Sequence, residues 1–176
     1  METRSTIFYG EMESPLGPLT VVCSQKGVCL IEFGAIENSL SSIKVWLKRN
    51  YMKNELVHDQ VFVQPVIMQL EQYFQGERME FDVAVDLVGT NFQKLVWEHL
   101  QNIRFGETKT YKQIAQEIGA PKAVRAIGGA NNKNPIPIII PCHRVIGSNG
   151  ALVGYGGGVE KKEILLEMEG SLQKIS

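Results

Sequence analysis

The chain has no run approaching the roughly 20 apolar residues that a membrane span needs. Residues 1–6 are polar and hold nothing like the apolar core of a signal peptide, so a cytoplasmic protein away from any membrane is expected. There are only three cysteines, an odd count without framework spacing, which excludes a disulfide scaffold and suits a reducing compartment. Cys23 and Cys29 have no histidine at metal-ligand spacing to complete a tetrahedral set, so they are expected to be core thiols, and no metal is expected. The chain also lacks an excess of either charge. A net of −1 offers nucleic acid no general attraction.

The charge that is present is unevenly placed. Residues 101–144 carry seven basic side chains (Arg104, Lys109, Lys112, Lys122, Arg125, Lys133, Arg144) against Glu107 and Glu117, so that segment is +5 and the remainder −6. A local basic patch on a near-neutral protein fits a face that binds duplex. At 176 residues and 44% hydrophobic, one or two small globular units are expected.

Residues 7–11 and 19–24 read as strands around a Pro/Gly turn at 14–18, and 28–33 as a third strand after Gly27. Ile43, Trp46 and Leu47 place a helix over 41–51. Val66, Leu70, Tyr73 and Phe74 place another over 61–74, with Gly76 just beyond its end. Residues 81–88 alternate in strand fashion. Residues 1–88 therefore predict a small α/β unit on an antiparallel sheet, with no titratable cluster and a supporting role.

Residues 89–176 form the second unit. It opens with a helix over 90–100 that sets Phe92, Leu95, Val96 and His99 on one side, His99 being expected to serve structure. Thr110 and Gln113 have the spacing of a capping box for a helix to 118. Gly119-Ala120-Pro121 then turns the chain, with proline at the start of the next helix. In that helix Val124 and Ile127 point one way, and Arg125, Gly128, Gly129 and Asn132 another. A glycine inside a helix costs about 1 kcal/mol relative to alanine. A bare helix surface suits something packing close, either another helix or a DNA groove. A hairpin of 144–147 with 151–155 follows around Ser148-Asn149-Gly150. The glycines of 154–158 would let a flat ligand approach the backbone. The last helix, 160–169, packs Ile164, Leu165 and Met168, while Glu160, Glu163 and Glu167 form a solvated stripe on periodicity.

The stretch I-P-I-I-I-P-C-H-R-V-I spans 136–146. Pro137 and Pro141 bar a regular helix, and the isoleucines favour an extended, buried segment. Cys142 is thus carried inward with His143 and Arg144 directly behind it. Such a thiol can be a mere small hydrophobe. A buried thiol has a raised pKa, and a reactive one needs a base or positive charge nearby. Neighbours on an extended strand face opposite ways, so a water would have to bridge Cys142 and His143.

P-C-H-R-V with the preceding Asn-Pro turn resembles the O6-alkylguanine-DNA alkyltransferases, the methylated-DNA–protein-cysteine methyltransferase family. The motifs R-A-I-G-G-A-N-N-K-N-P (125–135), T-Y-K-Q-I-A (110–115), V-G-Y-G-G-G (153–158) and K-E-I-L-L (162–166) extend that resemblance in the same order. It is dense over 92–170 and thinner before. It implies a small N-terminal RNase H-like α/β domain (1–88) and a C-terminal helical winged helix-turn-helix domain (89–176) carrying the active cysteine.

The resemblance also implies roles. Cys142 is the nucleophile of a relay through water to His143, held by Glu163 against what the periodicity says. Tyr111 supplies a proton to the leaving purine, and Asn134 braces the thiol loop. Arg125 takes the place of a flipped nucleotide while the helix bearing Gly128, Gly129 and Asn132 lies in the minor groove; Lys112 and Lys122 reach phosphate. The carbonyls of Cys142 and Val145 read the guanine edge, with Tyr155, Gly156 and Gly157 lining the pocket. Gly156 stands where many members carry serine, which implies room for O6 groups bulkier than methyl. The implied activity is direct-reversal DNA repair. The alkyl group of O6-alkylguanine or O4-alkylthymine in double-stranded DNA passes irreversibly to Cys142, once per chain, in a monomer without cofactor. Two other readings are a non-enzymatic alkylated-DNA-binding protein of the same fold, which Cys142 argues against, and a cysteine hydrolase, which needs an oxyanion site.

Overall fold

In the computed structural model residues 4–172 are described. The chain divides between Val88 and Gly89 into two compact units. In the first, β1 (Ser5–Met12), β2 (Leu19–Ser24) and β3 (Gly27–Phe33) form an antiparallel meander. α1 (Ile36–Asn50) then carries the chain to β4 (Asn54–His58), which pairs parallel with β1 and gives the order β3-β2-β1-β4. The sheet is mixed rather than purely antiparallel. The sequence hides β4 because its only apolar residues, Leu56 and Val57, are adjacent and show no period of two.

One face of the sheet sets Ile7, Val22, Cys29 and Leu30 against Ile43 and Leu47 of α1. α1 starts at Ile36 rather than 41, and the Glu11 carboxylate accepts the Ile36 N–H at 3.2 Å, a partner that local sequence cannot reveal. α2 (Gln60–Phe74) packs on β1 and β2 and is capped by Asp59, whose side chain accepts the Phe62 N–H at 2.9 Å. Gly10 permits that approach, since a Cβ there would meet Val63 at 2.4 Å. Residues 81–88 do not form the expected strand. Val85 makes a single bridge to Val28, and the Gln69 amide takes both backbone groups of Asp82, at 2.8 and 3.1 Å, in place of a ladder. Cys23 and Cys29 are free and buried, and burial pushes both thiols up to about 12.

The second unit contains α3 (Asn91–Leu100), α4 (Tyr111–Glu117), α5 (Val124–Asn132) and α6 (Val159–Met168). Thr90 with Gln93 and Thr110 with Gln113 form complete capping boxes for α3 and α4. α3 and α4 both pack on α5, and the Trp97 indole donates to the Ala130 carbonyl at 2.8 Å. Pro121 lies in the turn before α5 instead of opening it, and Ala123 N–H closes that turn on Ala120 O. β5 (Lys109–Thr110) pairs parallel with β6 (Val145–Ile146). The expected hairpin over 144–155 is absent. Gly147 N–H bonds Ala151 O, but the Val153 carbonyl is taken by the side chains of Tyr111 and Lys162, which leaves no ladder to form. No helix among the described residues is long and apolar enough to cross a membrane.

α6 also buries a different face from the one expected. Lys162, Leu165, Leu166 and the capping Glu169 point inward, at helical spacing, while Ile164 and Met168 are more than a third exposed. The inward face holds two charged residues because each finds partners there.

Candidate functional site

Cys142 sits 4% exposed at the start of a 3-10 turn (Cys142–Arg144), not on a strand. The approach is a succession of tight turns: Ile140 N–H bonds Ile136 O at 3.0 Å and Cys142 N–H bonds Ile140 O at 2.8 Å. Ile138 between them has φ +75°, a rare conformation for a β-branched residue. Asn134 holds the segment in place, donating to Ile140 O at 2.8 Å and accepting the Ile136 N–H at 3.0 Å. Its side chain also favours the Cys142 thiolate, as do the Cys142 and His143 amides and the charge of Lys162. Desolvation by burial outweighs all of these and pushes the thiol up to about 11.

His143 is fully buried, and its Nε2 lies 2.8 Å from Glu169 Oε2. The carboxylate on the histidine is therefore Glu169, and the assignment to Glu163 is corrected: Glu163 is exposed on the outer side of α6. Glu169 also receives Arg144, through Nε at 2.7 Å and the second guanidinium nitrogen at 3.0 Å. Arg144 donates further to Ile103 O and lies over the Phe105 ring at 5.9 Å. Burial pushes the Glu169 carboxyl up, but the bonds from His143 and Arg144 prevail and hold it at about 2. A firmly ionised carboxylate can only accept, so Nε2 carries the imidazole proton and Nδ1 offers its lone pair. Nδ1 is buried and has no protein partner among the described residues. Burial lowers the His143 pKa further than Glu169 raises it, so the ring is neutral at neutral pH.

Tyr111 is half-buried, and its hydroxyl donates to Val153 O at 2.8 Å. Burial, then the negative charge that Cys142 can carry, raises its pKa, so it stays a proton donor. Val145 is buried in β6, directly after the thiol turn. Tyr155 is buried, whereas Gly156 is open and Gly157 partly so. A Cβ on Gly156 would meet only the Asn132 carbonyl, at 3.4 Å. The Asn132 side chain lies within 3.4 Å of where a Gly154 Cβ would be, so only glycine fits the loop beside it.

Arg125, Lys112, Lys122 and Gly129 are exposed. Val124, expected with Ile127 on the inner face of α5, is exposed too; Ile127, Ala130 and Asn131 form that face. A Cβ at Gly129 would meet nothing within 4 Å, and one at Gly128 only the Tyr111 ring at 4.0 Å. No packing among the described residues explains the bareness at Gly129. His99 pairs with Glu117 at 2.6 Å, beside Lys109 on the same carboxylate, and serves as a structural histidine.

Three residues escaped the sequence reading. Asn131 is buried and donates to the Cys142 carbonyl at 3.3 Å. Lys162 is buried with its ammonium on the Val145 and Val153 carbonyls. Glu169 could have been found from Arg144, since a buried guanidinium after the thiol demands a carboxylate.

Residues 7–87 match the ribonuclease-like domain of 6-O-methylguanine DNA methyltransferase, and 91–171 match the DNA binding domain of the same family. A methylated-DNA–protein-cysteine methyltransferase of Methanosarcina acetivorans is 44% identical over 165 residues, 94% of this chain and 99% of that one. The crystal structure of Mycobacterium tuberculosis O6-methylguanine methyltransferase superposes with a TM-score of 0.80 at 42% identity, over 97% of this chain and 96% of that one. A crystal structure of Mycobacterium tuberculosis OGT in complex with DNA does so with a TM-score of 0.78 at 41% identity, over 94% and 93%. A buried thiol beside a carboxylate-held histidine, both in the matched DNA-binding domain, accords with these likenesses, and the chain belongs to the methylated-DNA–protein-cysteine methyltransferase family.

Proposed function

We propose that this chain repairs double-stranded DNA by moving the alkyl group of O6-alkylguanine, and of O4-alkylthymine, onto Cys142, once and irreversibly. The observation that carries the proposal is the buried thiol at the head of a turn whose next residue is a neutral imidazole with its free nitrogen inside. Burial raises the Cys142 thiol well above the range in which it would ionise at pH 7, so proton removal would accompany the attack. A bridging water would carry the proton from Cys142 to His143 Nδ1, with Glu169 fixing the tautomer. The S–C bond forms, the C–O6 bond breaks, and the purine anion takes a proton from Tyr111. A thioether has no easy way back to a thiolate, so the protein acts once.

O6 is hidden in the stack, so the nucleotide must be extruded first. α5 suits that task. Its open Gly129 admits a groove wall, Arg125 stands free to fill the vacated stack, and Lys112 and Lys122 are free to neutralise phosphates. The protein would act as a monomer and needs no cofactor for this chemistry.

The test is mass spectrometry after mixing the protein with duplex containing O6-methylguanine. The expected result is one methyl per chain, on the peptide containing Cys142. No covalent change would indicate a damage binder, and repeated turnover a hydrolase; label on Cys23 or Cys29 would refute the assignment of Cys142.

A further inference from the structure

Asn131 is the one polar side chain of α5 that the fold buries, at 1% exposed. An amide out of water is costly unless its groups are bonded. Its Nδ2 donates to the Cys142 carbonyl at 3.3 Å. That carbonyl also receives the Val145 N–H, so it does not depend on Asn131 for a partner. The amide cannot sit the other way round, because its oxygen would then face an oxygen that can only accept. Oδ1 is left buried with no partner among the described residues. Leucine has the same branched shape and would leave no such orphan, so packing does not account for an asparagine here.

The second proton of Nδ2 does account for it. Tyr111 packs on the same face of α5, its ring 4.0 Å from where a Gly128 Cβ would be, one turn before Asn131. The Asn131 side chain hydrogen-bonds the Tyr111 hydroxyl there, in the sense that favours the ionised phenol. The hydroxyl's other partner, Val153 O at 2.8 Å, accepts its proton and so favours the neutral form. Once the purine anion takes the Tyr111 proton, Val153 O faces a phenolate and no longer helps. Burial and the charge of Cys142 oppose that phenolate too, and the amide N–H supports it.

We propose that Asn131 is a positioning residue of alkyl transfer, its amide nitrogen tying Tyr111 to the thiol turn and stabilising the tyrosine oxygen once its proton has passed to the leaving purine. This rests on the alkyl-transfer reading of the same site. Asn131 acts through Tyr111 and touches neither the alkyl carbon nor the sulfur.

Two alkylations of Cys142 separate this role from a structural one, because iodide leaves without a proton and a purine does not. Asn131→Leu should lower the rate of debenzylation of free O6-benzylguanine, relative to alkylation by iodoacetamide, by about tenfold or more, the order expected of a bond to a charged group. In a Tyr111→Phe background no phenolate forms, and the same substitution should change that ratio by less than about threefold. Both rates falling in proportion, or losses that multiply in the double variant, would overturn the proposal. If the leucine variant does not fold, NMR of 15N-labelled protein decides without altering Asn131. Tyr111→Phe should move one of the two Nδ2 protons and leave the other, bonded to Cys142 O, in place; both or neither moving would overturn the proposal. Failure of the parent to take a methyl from DNA would instead sink the alkyl-transfer reading, and the NMR result would still report the bond between Asn131 and Tyr111.

Discussion

Replacing Glu169 with glutamine changes one charge in a nearly isosteric group and leaves Arg144 buried without its counter-ion. A carboxyl held at about 2 against an ordinary 4.5 contributes about 3 kcal/mol of stability at neutral pH. Breaking a buried ion pair from one side costs about as much, roughly 3–5 kcal/mol. The sign follows from the direction of the shift. A depressed carboxyl stabilises fully above its unfolded pKa, and that contribution drains away as pH falls from about 4.5 towards about 2. His143, buried and lowered, adds a separate loss that begins as pH drops below its ordinary 6.5, because the unfolded imidazole takes up a proton that the folded one resists. Urea unfolding should be followed by Trp97 fluorescence after Trp46→Phe, since these are the only two tryptophans. At pH 7 Glu169→Gln should be less stable by about 3 kcal/mol, and the loss that the parent shows between pH 4.5 and 3 from this carboxyl should be missing. Alkyl transfer should fall by about 100-fold or more, because the glutamine amide can donate to Nε2 and so favour the tautomer whose Nδ1 is no longer a base. Glu163→Gln, on the solvent side, should leave both quantities unchanged. A cost below about 1 kcal/mol for Glu169→Gln, or an equal effect at Glu163, would refute the reasoning.

Three further substitutions separate binding, extrusion and the pocket. Arg125→Ala should slow repair of duplex about 100-fold, in line with the few kcal/mol that extrusion costs, while free O6-benzylguanine reacts almost normally; equal losses would put Arg125 in the pocket. Gly129→Ala should stabilise the fold by up to about 1 kcal/mol, because its methyl meets open space, and yet weaken duplex binding measured by anisotropy. A variant that gains stability and keeps its affinity would show that the bare face does not meet DNA. Gly156→Ser should raise the ratio of methyl to benzyl transfer, since the added group fits beside the Asn132 carbonyl and narrows the pocket; rates rising together would exclude a size effect.

Helix positions were legible in the sequence wherever local chemistry sets them. Thr110 and Gln113 announce α4, and the glycines of α5 announce a face that packs closely on something. Residues 136–146 misled because five isoleucines and two prolines do describe an extended segment locally. Tertiary packing instead forces Ile138 to φ +75° and winds the thiol into a turn. The buried face of α6 misled for another reason. Lys162 and Glu169 look like surface residues until their partners, in β6, the glycine loop and the thiol turn, are known. A missing apolar stripe on a helix can thus signal a polar interior.

The high thiol pKa looks at first like a flaw in a nucleophile, but it would suit a protein that, as proposed, reacts only once. A thiol at 7 would be about half ionised at neutral pH and open to any stray electrophile. Raised well above that by burial, the Cys142 thiol is ionised far less often. Each thiolate that does form is more nucleophilic, but a Brønsted slope of about 0.4–0.5 recovers only about half of that loss on a logarithmic scale. The net reactivity toward a random encounter is therefore still lower. On the proposed mechanism a bound purine would escape this handicap, because the imidazole would remove the thiol proton during the attack. Burial therefore selects for the substrate as much as any pocket contact does, and the cost is a dependence on every part of the proton path, from His143 Nδ1 to the Glu169 carboxylate.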